Sequence, residues 1–347
     1  MFRRFAVLTF VFLLLPALAR GQGSAAMTEH EAQVYAAAKP EGTFVWYVAQ
    51  FSTETADTVA NAFSARYPGL GVQVVRTTGQ VAFSRLTQDI RAGIAQCDVF
   101  SATDVSHQAW LKDNGHLLRY VPENAAKIDP AYRDADPEGY YHATSANPTI
   151  IIYNTRFVTE ADAPKRWIDL ADPKWRGKLA LAHPGYSGSM GSWVVLMRKL
   201  YGWEFFEKLE KLSPHIGRSL IDPSTILNAG ERWVGISSLA TAVKSIRAGN
   251  PLAIIYPEDG AKLVLTATSI LAKSPHPNAA KLFMEYMLSI EFSTLLLNEG
   301  QPPLRPEAGP LPGARPISEI KVATVSEEQV TAEVPEIIEK WRDTFDR

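Results

Sequence analysis

His183-Pro184-Gly185-Tyr186-Ser187-Gly188-Ser189-Met190-Gly191-Ser192-Trp193 is the stretch from which the fold of this chain can be read. Before it, Lys178 to Ala182 (KLALA) has the length and apolarity of a short buried strand, and after it Trp193 to Leu200 (WVVLMRKL) reads as a helix. A strand that empties through Pro, Gly and Ser into a helix leaves backbone N–H groups and hydroxyls at the positive end of the helix dipole. Such a turn suits an anion. The simpler reading is a capped strand–helix turn, with Ser187 or Ser189 as N-cap.

The same unit recurs on the N-terminal side. Thr43 to Ala49 (TFVWYVA) is a β-branched and aromatic strand, and Ser52-Thr53-Glu54-Thr55 opens a helix through Ala65 that Tyr67-Pro68-Gly69 ends. Val72 to Arg76 is a second strand, leading through Thr77-Thr78-Gly79-Gln80 into a helix from Val81 to Ala92. Asp98 to Ala102 is a third, followed by Thr103-Asp104 and a helix from Ser106 to Asn114. Alternating strands and helices with short loops predict parallel, doubly wound sheets, in which ligands sit beyond the carboxyl ends of the strands. Those ends carry Gln50, Thr78, Gly79, Gln80, Ser101, Thr103 and Asp104. Asp104 either meets a ligand amine or caps the helix after it, capping being the simpler role. Of Trp46 and Tyr47, adjacent in a strand, one is expected to face the core and the other the opposite sheet face.

Tyr140 to Asn154 reads as two extended pieces joined at Ser145-Ala146-Asn147-Pro148. Beyond the central turn the sequence predicts a helix at Phe205–Leu212, a turn at Asn228–Glu231, a strand at Val234–Ser237 and a helix at Thr241–Ala248. It then predicts strands at Leu252–Tyr256 and Thr266–Ala272, and a helix after Asn278. Val334 to Phe345 is a last amphipathic helix.

Composition narrows the function. There are 35 basic and 37 acidic residues, a formal net charge of −2, with no basic stripe, so nucleic acid is not an expected partner. Arg3 and Arg4 precede an apolar run from Phe5 to Leu18 and a small-residue exit, which predicts a secretory signal peptide over residues 1–22. No cysteine stands near that exit to take a lipid. The one cysteine, Cys97, allows no intramolecular disulfide, which fits a large-cored protein of a bacterial periplasm. The remaining length is enough for two lobes.

The order of segments resembles the substrate-binding proteins of bacterial ABC importers, and more narrowly the iron(III)-type, extracellular solute-binding protein family 1. The similarity rests on Ile152-Tyr153-Asn154-Thr155, on Leu170 to Lys178 (LADPKWRGK), on Tyr256-Pro257-Glu258-Asp259-Gly260 and on Asn278 to Ser289 (NAAKLFMEYMLS). The resemblance implies a two-lobed α/β periplasmic-binding-protein type II fold, two doubly wound sheets joined by a crossover-strand hinge. Lobe one would take residues 42–145 and 268–310, and lobe two residues 148–262 and 317–347. The hinges would lie near 145–152 and 261–268.

The same resemblance implies a periplasmic solute-binding component that delivers its ligand to an ABC permease, acting as a monomer without a cofactor. Iron-binding relatives hold Fe³⁺ through a consecutive tyrosine pair in the second lobe, which would fall near Gly235 to Thr241; this sequence has none there. Tyr140-Tyr141 precedes the first crossover and is expected to be structural. Hydroxyls and amides are poor ligands for Fe³⁺. The expected solute is therefore a small organic anion, a phosphate ester, phosphonate or carboxylate, with ferric iron or an iron chelate as the alternative.

Its expected contacts are Ser187, Gly188 and Ser189 from one lobe and Gln50, Thr78, Gly79, Gln80, Ser101 and Thr103 from the other. Ser145 and Asn147 join them from the first crossover, and Ser237 and Ser238 from the strand end where the iron binders keep their tyrosines. Tyr256 and Glu258 either face the cleft or belong to a hinge turn. A secreted serine hydrolase is the remaining alternative, since Ser189, Asp259 and His276 follow in nucleophile–acid–base order. Against it, Ser187 stands where a nucleophile elbow has glycine. His276, between two prolines, reads as loop structure, and the seven histidines form no zinc-hydrolase motif.

Overall fold

The computed structural model describes residues 26–133 and 135–345. The leader read in residues 1–22 lies outside the described residues. The strands are β1 (Thr43–Val48), β2 (Gly71–Arg76), β3 (Val99–Ala102), β4 (Leu117–Leu118), β5 (Tyr141–Asn154), β6 (Leu179–Ala182), β7 (His215–Gly217), β8 (Val234–Ser238), β9 (Leu252–Ile255), β10 (Ala261–Leu271) and β11 (Val322–Ala323). The helices are α1 (Glu29–Ala38), α2 (Thr53–Arg66), α3 (Gly79–Ala92), α4 (Val105–Asp113), α5 (Pro130–Arg133), α6 (Gly188–Tyr201) and α7 (Glu204–Glu210). They continue with α8 (Asp222–Asn228), α9 (Leu239–Arg247), α10 (Pro277–Met287), α11 (Ile290–Asn298) and α12 (Glu327–Phe345).

Hydrogen-bonded strands run in the order β2-β1-β3-β10-β5-β8-β6-β7. At one end β2, β1 and β3 are parallel; at the other, β8, β6 and β7 are parallel. Between them β5 and β10 pair antiparallel along most of their length and belong to both halves. The doubly wound halves are as expected, but the crossover is one unbroken strand of 14 residues rather than two pieces. Pro148 does not interrupt it: it stands opposite Leu263 in the β10 ladder, one residue before the β8 ladder begins at Thr149. The ladder changes register between Thr266 and Ala267, an irregularity that bends the pair midway between the halves.

Each half has its own core because its strands alternate. Phe44, Trp46 and Val48 of β1 face α2 and α10, where Phe44, Trp46 and Phe63 pack around Phe283 at ring-centroid distances of 5.1 Å. Tyr47 faces the other layer with Phe100, Ala82 and Leu86. In the second half Trp193 on α6 packs on Trp167, Phe205 and Phe206. Burying side chains of this size contributes roughly 1.5–3 kcal/mol each, which dispenses with covalent staples.

Other elements depart from the sequence reading. Residues 29–38, read only as a polar, Ala-rich lead-in, form α1, capped by Thr28 and packed on α10. α8 starts six residues before the expected turn, its first turn set by Asp222 and Pro223. The last helix begins at Glu327 and carries Pro335 inside it. It packs on α6 and α7 but also touches α4, so it spans both halves.

Candidate functional site

Four helices begin where the two halves face each other, and their N-caps differ. Asp104 accepts from Ser106 N at 3.0 Å at the start of α4, the capping role expected of it. Ser187 accepts from Met190 N at 3.4 Å at the start of α6, and Ser238 from Thr241 N at 3.3 Å at the start of α9. Asn147, from β5, takes a second N–H of α9, that of Ala240, at 3.2 Å. Thr78 precedes α3 but makes no capping bond, and its Oγ1 is buried without a partner. The start of α3 is therefore open, whereas that of α9 is closed by the protein itself.

These starts surround two adjoining cavities between the halves. The larger, of about 280 Å³, is walled mainly by hydroxyls and amides, among them Ser145, Asn147, Thr149, Ser224, Thr225 and Asn250. The smaller, of about 70 Å³, lies among Thr78, Gly79, Ser187, Ser189 and Arg76. Gln50, Thr103, Ser189 and Ser238 border both. Both side-chain polar atoms of Gln50 and the Oγ1 of Thr149 are buried without partners. A buried polar group without a partner costs about 1–3 kcal/mol, so these groups are set to receive a ligand or water.

Gly188 shows how closely the halves approach. A Cβ at this position would come within 2.6–2.8 Å of the backbone and Cβ of Asp104 across the cleft, which only glycine tolerates. On the far side of the larger cavity Lys244 of α9 reaches across to Glu54 at 2.8 Å and Glu299 at 3.0 Å, and Thr55 also donates to Glu299. The two carboxylates share the one ammonium, so the lysine is fully paired and the cluster carries one net negative charge. Burial depresses the ability of the Arg76 guanidinium to hold its proton, and the field of Asp222 opposes this.

Several expected contacts are placed elsewhere. Ser101 is fully buried, accepting from Trp46 Nε1 at 2.8 Å and bonded to Thr268 at 2.7 Å, so its hydroxyl is used to tie strands together. Ser237 is likewise fully buried and joined to Ser224 at 2.8 Å, behind the cavity wall. Gln80 turns outward to Ser84 and to His107, whose ring is kept neutral by burial despite the neighbouring Asp104. The Tyr256 hydroxyl accepts from Arg315 N at 3.0 Å, and Glu258 is exposed beside Lys165 and Lys321. Both belong to the turn between β9 and β10.

The hydrolase constellation does not assemble. Asp259 is bonded to Trp167 N and Tyr201, and His276 to Asp98 at 3.1 Å in the other half. Tyr141 opens β5 on the first-half core, and Tyr140 just before it packs there too, Lys112 lying over its ring. Among the described residues no group of three or more His, Cys, Asp or Glu is placed to hold a metal.

Arg76 and Lys244 were not singled out from the sequence. A strand-end arginine and a helix lysine read as solvated charges until the opposite half is in place.

Comparison with known proteins agrees with this architecture. The profile of the family described as bacterial extracellular solute-binding protein matches residues 97–313. The chain is 24% identical to the major ferric iron-binding protein of Neisseria meningitidis, over 79% of this chain and 84% of that one. It is also 24% identical to a putative 2-aminoethylphosphonate-binding periplasmic protein of Salmonella paratyphi A, over 73% and 72%. Among solved structures it is similar to the periplasmic binding protein AfuA of Actinobacillus pleuropneumoniae, with fructose-6-phosphate bound. The TM-score is 0.79 at 24% identity, covering 88% of this chain and 99% of that one. The fold is accordingly the two-lobed type II periplasmic-binding-protein fold.

Proposed function

The chain belongs to the bacterial extracellular solute-binding proteins, and within that family we propose that it captures a small organic anion in the inter-lobe cleft and delivers it to an ABC permease. It is a binding protein of a transport system, not an enzyme. Among the described residues no helix is long and apolar enough to cross a membrane.

The observation that carries the reading is the open start of α3, with the free Thr78 hydroxyl, facing the start of α6 across the small chamber. The uncapped start of α3 and the start of α6 favour negative charge, and the hydroxyls and amides of the larger chamber suit a polar organic body. The lobes, taken as 42–145 with 268–310 and 148–262 with the C-terminal helix, close by bending β5 and β10. Closure follows from binding only because the solute touches both lobes at once and so prefers the closed state. Ser187, Gly188 and Ser189 act from one lobe, and Gln50, Thr78, Gly79 and Thr103 from the other, with Ser145, Asn147 and Ser238 on the larger chamber. Export to the periplasm through the N-terminal leader completes the proposal. That one similar protein is named for phosphonate and another holds a sugar phosphate supports it; the iron-binding relative keeps ferric iron as the competing ligand.

A thermal-shift screen of the protein without its leader tests this, using phosphate esters, phosphonates, carboxylates, sugars, amines and ferric salts. A ligand at about 100 times its Kd adds roughly 2.7 kcal/mol. The expected response is to an organic anion without metal; a response to ferric salts alone would overturn the proposal.

A further inference from the structure

We propose that Arg76 is the residue that makes the small chamber specific for a tetrahedral oxyanion, a phosphate or phosphonate group, over a carboxylate. This rests on the anion reading above and goes further in naming the group and its counter-charge. Among the described residues that line the small chamber, Arg76 carries the one charge. It ends β2, two residues before the open start of α3, so it lines the same chamber as Thr78 and Gly79.

Its position is fixed. Nε donates to Phe51 O at 2.9 Å, which leaves the two terminal nitrogens as the fork. The nearby acid does not consume that fork. Asp222 already accepts from Arg218 N at 2.6 Å, Ser219 N at 3.0 Å and the Ser219 hydroxyl at 3.1 Å, and reaches Arg76 only through its field. The exposed Arg218 is held over the Tyr186 ring at the rim, 4.9 Å away, where it steers rather than contacts.

Donors therefore converge on the chamber from three directions: the Arg76 fork, the α3 start with Thr78, and the α6 start with Ser189. A tetrahedral group offers three oxygens to these three sets. A carboxylate offers two, in one plane, and would leave one set of buried donors unpaired. The half-buried guanidinium costs desolvation in the absence of an anion, and an anion recovers that cost.

The test titrates inorganic phosphate, methylphosphonate and acetate into wild type, Arg76→Met and Arg76→Lys, following Kd by calorimetry or by the amide signals of Gly79 and Gly188. Wild type is expected to bind phosphate and methylphosphonate more tightly than acetate. Arg76→Met should weaken both by about 30-fold or more, and Arg76→Lys, which keeps the charge but not the fork, should fall between. Thermal unfolding of each variant shows that it is folded. Tight phosphate binding that Arg76→Met leaves unchanged would overturn the role of Arg76 and leave the anion proposal standing. Acetate bound as well as phosphate would overturn the selectivity, and binding of none of the three anions would remove both proposals.

Discussion

The two chambers of the cleft use charge in opposite ways. In the small one a single guanidinium stands beside the uncapped start of α3, its counter-ion occupied elsewhere. In the large one Lys244 is answered by Glu54 and Glu299, and the α9 start by Ser238 and Asn147. Open donors make a binding site for charge; closed ones make a seal. Both arrangements draw on both lobes, so the difference lies in which groups the protein leaves unpaired when the lobes meet.

The largest expected effect comes from preventing that meeting. Gly188→Val places side-chain atoms where Asp104 already stands, and neither backbone can retreat without reopening the cleft. The variant is expected to keep the melting temperature of the unliganded protein, because the position lies between lobes rather than in either core. It should lose ligand-induced compaction in X-ray scattering, with affinity down about 100-fold. Compaction equal to wild type would show that the closed arrangement seen at Gly188 is not the one that binds.

A smaller change separates an open cap from a closed one. Thr78→Val removes a hydroxyl with no partner in the protein, so stability should hold or rise while affinity for the anion falls about tenfold. Ser238→Ala removes a working cap, so it should cost about 1 kcal/mol of stability and lower affinity less than Thr78→Val does. Paired denaturant melts and titrations of the two variants check this, and equal behaviour would erase the distinction between the chambers.

What was legible in the sequence divides along the same line. The turns at Thr78–Gly79 and Ser187–Ser189 were readable because helix starts are local: cap, glycine and apolar run lie within a few residues. Trp46 and Tyr47 fell on opposite faces as alternation demands. Ser101 and Ser237 were misplaced because a polar strand end says nothing about which face it presents: Ser101 bonds to the strands on either side of it and Ser237 to α8. Arg76, Lys244 and the use of Gln80 by His107 depend on partners 27 to 190 positions away in the chain or across the cleft. Pro148 argued for a break, but the ladder it joins is fixed by β10, which no local signal reveals.

The smallest effect is expected at the seal. Lys244 is about two-fifths exposed and Glu54 is open to solvent, so screening leaves the cluster weak however short its bonds. Lys244→Met should therefore lower affinity only about two- to five-fold, and chiefly by favouring the open form. Two dependences identify it. Added salt should weaken wild type more than the variant. The bond to Lys244 holds the Glu54 carboxyl below its ordinary range, so its contribution is complete above the unfolded carboxylate pKa of about 4.3. It is lost as pH falls through the lower folded value. Closure of wild type should thus loosen below about pH 4.3 more than closure of Lys244→Met. If the two respond alike to salt and acid, the contacts of Lys244 merely accompany closure, and the small chamber alone decides when the lobes shut.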